Sequence, residues 1–182
     1  MSEVTIIIPN FNGKAYISDC LKSLEKQSFQ DFEIILVDND SKDGSRELVE
    51  QEFPSVKIIR LSQNFGFSRA ANEGIKASDS PYILLLNNDI KADEYFVEEL
   101  YHSICQNPRI FSAAAKMLQM RHPDQIDGAG DLYCALGWGF AIGKGKNKSH
   151  YQKETEVFAA CAGAAIYRKA ILMNIILHIL RM

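Results

Sequence analysis

A doubly wound α/β fold, in which helices cover both faces of a mostly parallel sheet, is expected from this amino-acid sequence. Short apolar runs alternate along the first half of the chain with segments whose apolar residues recur at helical spacing. Strands that are apolar on both faces are typical of parallel sheets, because helices cover such sheets on each side. Each run is followed closely by asparagine, aspartate, serine or glycine, which favour turns.

The first strand is predicted over residues 4–9, where a β-branched run ends at Pro9, and the second over residues 32–38. The segment between them carries four apolar residues at helical spacing, which are Ile17, Cys20, Leu21 and Leu24. This spacing predicts an amphipathic helix that packs on the sheet.

A second helix is predicted after the second strand, with Ser41 as its N-cap and Pro54 as its stop. Residues 56–61 form the third predicted strand. The helix that follows this strand is expected to bury small and apolar residues over positions 70–75.

The fourth strand is predicted over residues 82–86, and Asp93 is expected to open a helix that ends near Pro108. Residues 110–118 are compatible with a further strand, whereas the glycine-rich residues 127–148 indicate a loop or hairpin. With neither a repeat nor a clear linker, the 182 residues are expected to form one domain.

Composition narrows the function classes. The formal net charge of −3 argues against nucleic acid as a partner, since nucleic-acid-binding proteins usually carry a basic surplus. The cysteines are far apart in sequence and no signal peptide precedes them; they are Cys20, Cys105, Cys134 and Cys161. Reduced thiols in a cytoplasmic protein are expected from this pattern. The apolar run at residues 170–180 is shorter than the ~18–20 residues that cross a bilayer.

The ends of the predicted strands carry the functional signal. In open α/β sheets, ligands bind beyond the carboxyl ends of the strands, because neighbouring loops converge there. The strand exits are all rich in Asn, Asp, Ser or Gly, and they lie at residues 9–13, 38–44, 62–72 and 87–90. A turn explains any one of these exits alone. Polar exits along one whole edge indicate a polar small-molecule site.

The exit of the fourth strand suits a divalent cation. Asp89, together with the amide oxygens of Asn87 or Asn88, offers the hard oxygen ligands that Mg²⁺ or Mn²⁺ prefers. Such a cation usually completes its shell with phosphate oxygens and water. A phosphate-bearing ligand is therefore expected beside this exit.

Other exits suit a nucleotide. Asp38 and Asn39 can pair with the donor edge of a base or with ribose hydroxyls, and Arg69 can reach a phosphate. A dinucleotide-binding dehydrogenase is disfavoured, because the first turn, "PNFNG", does not match G-x-G-x-x-G. The P-loop signature G-x-x-x-x-G-K-[ST] is also missing from the sequence.

Ordered motifs over about residues 4–172 resemble the family 2 glycosyltransferases of the GT-A fold, a Rossmann-like fold with a mostly parallel sheet. The motifs are "VTIIIPNFNGKAYISDCLKSLEKQSFQDFEIILVDNDSKDGS", "NFGFSRAANEGI" and "YILLLNNDI". The rhamnosyltransferase-like enzymes of bacterial polysaccharide assembly are the branch that they resemble most. This resemblance implies transfer of a sugar, with inversion, from a nucleoside diphosphate sugar of the dTDP or UDP type to an acceptor hydroxyl.

The resemblance also implies roles for individual residues. Pro9 and Asn12 are expected to line the base pocket, and Asp38 to contact the base or ribose. Four residues are expected along the nucleotide and donor sugar, namely Asn64, Gly66, Arg69 and Asn72. The "NND" at residues 87–89 stands at the family's Asp-x-Asp metal motif. Asn87 replaces the first aspartate there, and Asp89 is the remaining carboxylate.

The end of the chain departs from the family pattern. In the family, the catalytic base comes from an acidic motif downstream of the segment that resembles "CAGAAIYRKAIL" at residues 161–172. Here the sequence continues as "MNIILHILRM", without Asp or Glu. A C-terminal truncation, a frameshifted tail or a shortened form of the chain is expected, with the acceptor and catalytic-base segment missing. The catalytic residue is therefore unknown.

Two other functions stay open at this stage. One is a sugar-nucleotide-binding module without turnover, whose apolar tail at residues 170–180 would form a homo-oligomer. The other is a nucleotidyltransferase, which ranks last because "PNFNGK" lacks a glycine-rich loop containing arginine. For the transferase, a glycan or lipid-linked acceptor is expected, in the cytoplasm or peripherally at the inner membrane face.

Overall fold

A computed structural model describes residues 1–179, with side chains described as far as Asn174. The described residues form ten strands: β1 (Val4–Asn10), β2 (Phe32–Asp38), β3 (Lys57–Arg60), β4 (Tyr82–Leu86), β5 (Ser112–Ala114), β6 (Met117–Gln119), β7 (His122–Gly128), β8 (Asp131–Tyr133), β9 (Gly139–Ala141) and β10 (Ala164–Arg168). The helices are α1 (Ile17–Leu24), α2 (Ser45–Glu52), α3 (Phe67–Ala77), α4 (Phe96–Cys105) and α5 (Lys169–Ile179), with a 3-10 turn at Lys148–His150.

The central sheet has six strands in the order β3-β2-β1-β4-β10-β5. β1 pairs in parallel with both β2 and β4, and β2 pairs in parallel with β3. β10 inserts antiparallel between β4 and β5. The predicted mostly parallel sheet and the four predicted strands of the first half are confirmed, and the antiparallel β10 is an addition to them.

Alternation along the strands divides the core between the two faces of the sheet. On β1, Ile6 and Ile8 point into one apolar cluster and Ile7 into the other. The first cluster also contains buried residues of α1, α2 and α4, and the second contains residues of α3. Helix α3 approaches β1 so closely that a Cβ on Gly74 would lie 2.5 Å from Ile7 Cγ2. Helices therefore cover both faces, as expected.

The predicted start of α2 is wrong. Ser41 does not cap this helix, which begins four residues later, after Gly44 with a φ of +80°. The amide of Ser45 instead donates to Asp43 Oδ1 at 3.0 Å. The Ser41 hydroxyl does not reach the helix, because it accepts from the backbone amide of Asn12 at 3.0 Å.

The second half of the chain adds two small antiparallel sheets. Residues 110–118, expected to hold one strand, contribute β5 to the central sheet and the start of β6, which pairs with β7. β8 and β9 form a hairpin inside the glycine-rich segment, as predicted. Among the helices that the structure describes, none combines the length and apolarity needed to cross a membrane.

The apolar tail is described only in part. Leu172 and Met173 pack against the cluster on the α3 side of the sheet, so these two side chains are covered by the protein's own core. The expected contact surface for a homo-oligomer depends mainly on residues 175–180, which lie outside the described side chains.

Arg168 joins the end of β10 to the end of α4. Its guanidinium donates to the carbonyl oxygens of Ile104, Asn107 and Ile110 at 2.5, 3.1 and 2.7 Å, and to the Tyr82 hydroxyl at 3.1 Å. The Ile104 carbonyl lies in the last turn of α4, where carbonyls lack partners within the helix, so the guanidinium satisfies a group that would otherwise need water.

We expect Arg168→Ala to lower the free energy of unfolding by about 2–4 kcal/mol, because several carbonyls lose a charged donor together. Arg168→Lys should recover only part of this loss, since an ammonium cannot reproduce the planar fork. Urea unfolding followed by circular dichroism measures both. Arg121→Ala, at an exposed position in the turn between β6 and β7, is the matched control. Equal losses in Arg168→Ala and Arg121→Ala would contradict the expectation.

Candidate functional site

Three predicted strand exits meet because β2, β1 and β4 are neighbours in the sheet, with β3 beside β2. The register of β1 with β2 sets Asn10 opposite Asp38. The register of β1 with β4 pairs Ile7 with Leu85, and continuing it by three residues brings Asn10 level with Asn88. The last residue of β1 therefore lies between the exits of its two neighbours.

Asn10 is the centre of the polar network, and sequence analysis missed it. Its side chain is 1% exposed. The amide nitrogen donates to Ser45 Oγ at 2.9 Å and to Ser41 Oγ at 3.1 Å, and lies 3.4 Å from Asp38 Oδ1. The amide oxygen accepts from Asn88 Nδ2 at 2.8 Å. From the sequence, Asn10 is expected to be an ordinary turn residue. The one feature that could have indicated a structural role is its position directly after an apolar strand.

Asp38 is fully buried. Its carboxylate lies 3.4 Å from the Ser41 amide and forms an ion pair with Arg46 at 3.8 Å. Its backbone oxygen accepts from the Leu61 amide at 2.9 Å, which ties the exit of β2 to that of β3. In this structure Asp38 holds the loops in place from inside the protein.

Asn39 fixes the loop that follows β3. Its amide nitrogen donates to Asn64 Oδ1 at 2.9 Å and to the Gly66 carbonyl at 3.2 Å. Its amide oxygen accepts from the Phe65 amide at 2.9 Å. Gly66 has a φ of +83°, a conformation that favours glycine. The structure thus brings three of the predicted site residues together, namely Asn39, Asn64 and Gly66.

Asn12 and Pro9 lie at the exit of β1. Asn12 is exposed with a φ of +51°, and its side-chain oxygen accepts from the Lys42 amide at 2.8 Å. Pro9 is half-buried and sits opposite Val37 in the sheet. Both residues therefore border the loop after β2, beside Asp38.

Arg69 and Asn72 lie on α3, one turn apart. The Arg69 side chain is 60% exposed, and its Nε pairs with Glu73 at 2.9 Å. Exposed ion pairs of this kind contribute about 0–1 kcal/mol, so a phosphate can replace Glu73 at little cost. Asn72 is half-buried next to the small residues Ala70 and Ala71 that pack on the sheet.

The residues of the "NND" motif have separate surroundings. The backbone amide of Asn87 donates to the Gly163 carbonyl at 2.9 Å, just before β10 begins. Gly163 gives the Asn87 side chain its space, because a Cβ there would lie 3.3 Å from Asn87 Nδ2. Asn88 donates to Asn10, as described above, and Asp89 is exposed. Of the three, Asp89 is the residue turned to solvent.

The residues at this exit fit a cation that is held mostly by its substrate. No group of three or more His, Cys, Asp or Glu side chains that could hold a metal ion exists within the described part of the chain. Asp89 supplies one carboxylate. Since Asn88 Nδ2 donates to Asn10, the amide oxygen of Asn88 is the atom left to contact a cation. Mg²⁺ is commonly bound by one or two carboxylates with substrate phosphates and water.

Cys20, on α1, lies beneath the motif. Its thiol donates to the Asn87 carbonyl at 3.8 Å. Burial, followed by the negative charge of Asp89, raises the pKa of Cys20 from 9.0 to about 12. The thiol therefore stays protonated and unreactive at neutral pH, as expected for a cysteine of the core.

An exposed aromatic cluster occupies the β8–β9 hairpin and its surroundings. Tyr133 and Phe158 stack with ring centroids 5.3 Å apart, and Trp138 lies beside Phe140 at 6.5 Å. All four rings are more than half exposed. Glu154 is exposed, and its carboxylate accepts from the Ser103 hydroxyl at 2.8 Å.

Comparison with known proteins shows the family. The model described as "Glycosyl transferase family 2" matches residues 5–175. A teichoic acid poly(glycerol phosphate) polymerase of Staphylococcus epidermidis is 31% identical over 101 residues, 53% of this chain and 14% of the polymerase. Glycosyltransferase GlyG of Streptococcus pneumoniae is 31% identical over 108 residues, 57% of this chain and 36% of GlyG. The chain thus matches well under two thirds of the length of either relative.

Solved structures share the fold. S. aureus TarS in complex with UDP-GlcNAc superposes with a TM-score of 0.70 at 22% identity, covering 96% of this chain and 47% of that one. Mannosyltransferase PcManGT from Pyrobaculum calidifontis, in complex with GDP-Man and Mn²⁺, gives 0.69 at 13% identity, covering 95% and 46%. The predicted GT-A fold is confirmed, and at these identities the likeness reaches no further than the fold.

We expect Asn39→Ala to release the loop after β3, because the Phe65 amide loses its acceptor. Hydrogen exchange of that amide should accelerate by about tenfold. Asn107→Ala is the matched control, since Asn107 Oδ1 accepts from the Arg109 amide at 2.9 Å in a distant turn. Asn107→Ala should expose the Arg109 amide and leave that of Phe65 protected. Unchanged protection of Phe65 in Asn39→Ala would show that Asn39 does not hold the loop.

We also expect the free energy of unfolding to fall as the pH rises from 9.0 to about 12, because the unfolded Cys20 thiol ionises there while the folded one stays protonated. One thiol contributes a slope of at most about 1.4 kcal/mol per pH unit. Cys20→Ala should remove this part of the slope, which the wild-type chain should keep. Chemical denaturation across this pH range measures both. Identical slopes in the wild type and in Cys20→Ala would refute the assignment.

Proposed function

The chain belongs to glycosyltransferase family 2, and on that premise we propose that it binds a nucleoside diphosphate sugar for inverting transfer to an acceptor hydroxyl. One observation carries this proposal. The exits of β1, β2 and β4 meet around Asn10. On the β2 side lie Asp38 and Asn39, whose polar groups suit a base or ribose. On the β4 side lies the exposed Asp89. A nucleoside diphosphate has the same two ends, a polar base with its ribose and an anionic diphosphate.

The nucleoside would lie over the exits of β1, β2 and β3. We assign Pro9 and Asn12 to the base pocket, and Asp38 and Asn39 to the base or ribose side, where Asp38 acts from a buried position. Along the nucleotide and donor sugar we place the residues of the β3–α3 segment, namely Asn64, Gly66, Arg69 and Asn72. The support for this placement is that Asn39 and Asn64 already hold this segment against the exit of β2.

The diphosphate would lie at the exit of β4. We propose that Asp89 holds Mg²⁺ or Mn²⁺ there, with help from the amide oxygens of Asn87 or Asn88. When bound, such an ion neutralises charge on the leaving nucleoside diphosphate. The Asn88–Asn10 bond holds the motif in place, and the exposure of Asp89 leaves its carboxylate accessible to the ion. The Mn²⁺ in the PcManGT complex is support from a protein of the same fold.

The substrates are proposed by class. The TarS complex with UDP-GlcNAc supports a UDP sugar as donor, and the similarity to a teichoic acid polymerase supports a cell-surface glycan or lipid-linked acceptor. The alternative of a dTDP sugar is proposed from the resemblance of the sequence motifs. We place the reaction in the cytoplasm or at the inner membrane face, where such donors and acceptors meet. The rhamnosyltransferase-like branch rests on the sequence motifs.

We propose that residues 1–182 form a single donor-binding domain. The general base is expected to come from outside the four strand exits. Within these exits, Asp38 and Asp43 accept from loop amides, and Asp40 pairs with Lys42 at the surface. Asp89 is assigned to the cation. Binding of a nucleoside diphosphate without sugar transfer would make the chain a binding module in isolation.

We expect a nucleoside diphosphate to bind more tightly with Mn²⁺ than with EDTA, and Asp89→Ala to remove most of this gain. A loss of about tenfold or more in affinity corresponds to one lost charge-assisted ligand. Calorimetric titration with UDP, dTDP and GDP measures it. Asp79→Ala is the matched control, because Asp79 is exposed before β4, at the opposite end of the sheet.

Failure of the wild-type chain to bind any of the three nucleotides would overturn the donor-site assignment. Metal-dependent binding that survives in Asp89→Ala would move the cation to other ligands.

A further inference from the structure

A single buried side chain joins the two halves of the proposed donor site. On one side, Asn10 Nδ2 donates to the hydroxyls of Ser45 and Ser41. The backbone carbonyl of Asn10 also accepts from the backbone amide of Asn39 at 2.8 Å. On the other side, Asn10 Oδ1 accepts from Asn88 Nδ2 at 2.8 Å. The loop after β2 and the loop after β4 are thus connected through one residue.

The chemistry of this position calls for asparagine. An amide offers donors toward the two serine hydroxyls and an acceptor toward Asn88 at the same time. Aspartate would keep the acceptor, lose the donors and add a negative charge 3.4 Å from Asp38 Oδ1. Leucine would leave buried hydroxyl and amide groups without partners, which is costly inside a protein.

Gly13 shows how tightly the Asn10–Asn88 bond is enclosed. A Cβ on Gly13 would lie 2.2 Å from Asn88 Nδ2 and 2.3 Å from Asn10 Oδ1, the two atoms that form the bond. Gly13 is not among the glycines with positive φ, so its backbone conformation does not require glycine. The requirement for glycine is steric, because any side chain at this position would push the two amides apart.

Resting on the proposed function, we propose that Asn10 is a positioning residue that sets the spacing between the nucleoside-binding loop and the metal-bearing loop. A nucleoside diphosphate must contact both loops together, so a fixed spacing removes an ordering cost from binding. Breaking the Asn10–Asn88 bond then weakens the gain in nucleotide affinity that the metal provides. The affinity for the free nucleoside should stay unchanged, because the bonds from Asn10 to Ser41 and Ser45 stay in place.

The first variant is Gly13→Ala, whose methyl group should push the Asn10 and Asn88 side chains apart without removing a polar group. Calorimetry would measure affinity for uridine, for UDP with EDTA and for UDP with Mn²⁺, or for the thymidine or guanosine pair if the wild type prefers that base. We expect the gain from Mn²⁺ to fall by about tenfold and nucleoside affinity to stay within about twofold. Gly139→Ala is the matched control, since a Cβ there meets only the Leu132 carbonyl, at 3.9 Å.

The second variant, Asn88→Asp, separates positioning from metal ligation. It replaces the Nδ2 donor with an oxygen that repels Asn10 Oδ1, while adding a carboxylate that favours a cation. If Asn88 acted only as a metal ligand, Asn88→Asp would keep or increase the gain from Mn²⁺. We expect the gain to fall, and the Gly13→Ala/Asn88→Asp double variant to lose no more than the larger single loss, because both changes break the same bond.

Thermal unfolding monitored by circular dichroism verifies that each variant is folded. Two outcomes would overturn the positioning role alone. In the first, folded Gly13→Ala and Asn88→Asp keep the full gain in nucleotide affinity from Mn²⁺. In the second, the variants lose nucleoside binding and metal-dependent binding equally. The absence of metal-dependent nucleotide binding in the wild type would overturn both this role and the proposed function.

Discussion

The parallel register of β1 with its two neighbours determines the geometry of the candidate site. On one side of β1, Asn10 pairs with Asp38, and on the other the register places Asn10 level with Asn88. The two registers bring residues from distant parts of the chain to one sheet edge. A shift of one residue in β1 would turn Ile6 and Ile8 toward the opposite cluster, because side chains alternate between faces. The apolar core therefore enforces the register that assembles the polar edge.

Hydrogen bonding makes this polar edge stable despite its burial. Asn10, Asp38, Asn39, Ser41 and Ser45 are all buried. An unpaired buried polar group costs about 1–3 kcal/mol, so such a cluster is stable only when its members satisfy one another. Here they do so across loop boundaries. The consequence is a rigid set of strand exits, and rigidity is what a site needs to hold a flexible diphosphate without a large ordering cost.

The sequence predicted the strands and most of the helices because apolar periodicity is a local property. It failed at Ser41, where the cap preference of serine is real but the hydroxyl is used by Asn10 and Asn12. The position of β10 between β4 and β5 was also beyond reach, since that pairing joins residues about eighty positions apart. Asn10 was missed for the same reason. An asparagine after an apolar run signals a turn, and its role depends on partners that only the fold supplies.

The aspartates at the exits of β2 and β4 illustrate how burial divides their roles. Asp38 is fully buried and paired with Arg46, so its charge is compensated inside the protein and it serves the architecture. Asp89 follows an equally apolar strand but is exposed. Because Asn88 is held by Asn10, Asp89 occupies a defined place at the edge while its carboxylate stays open to solvent. The network thus buries the carboxylate of Asp38 among the loops and leaves that of Asp89 at the solvent-facing edge, where the proposed diphosphate-bound ion would reach it.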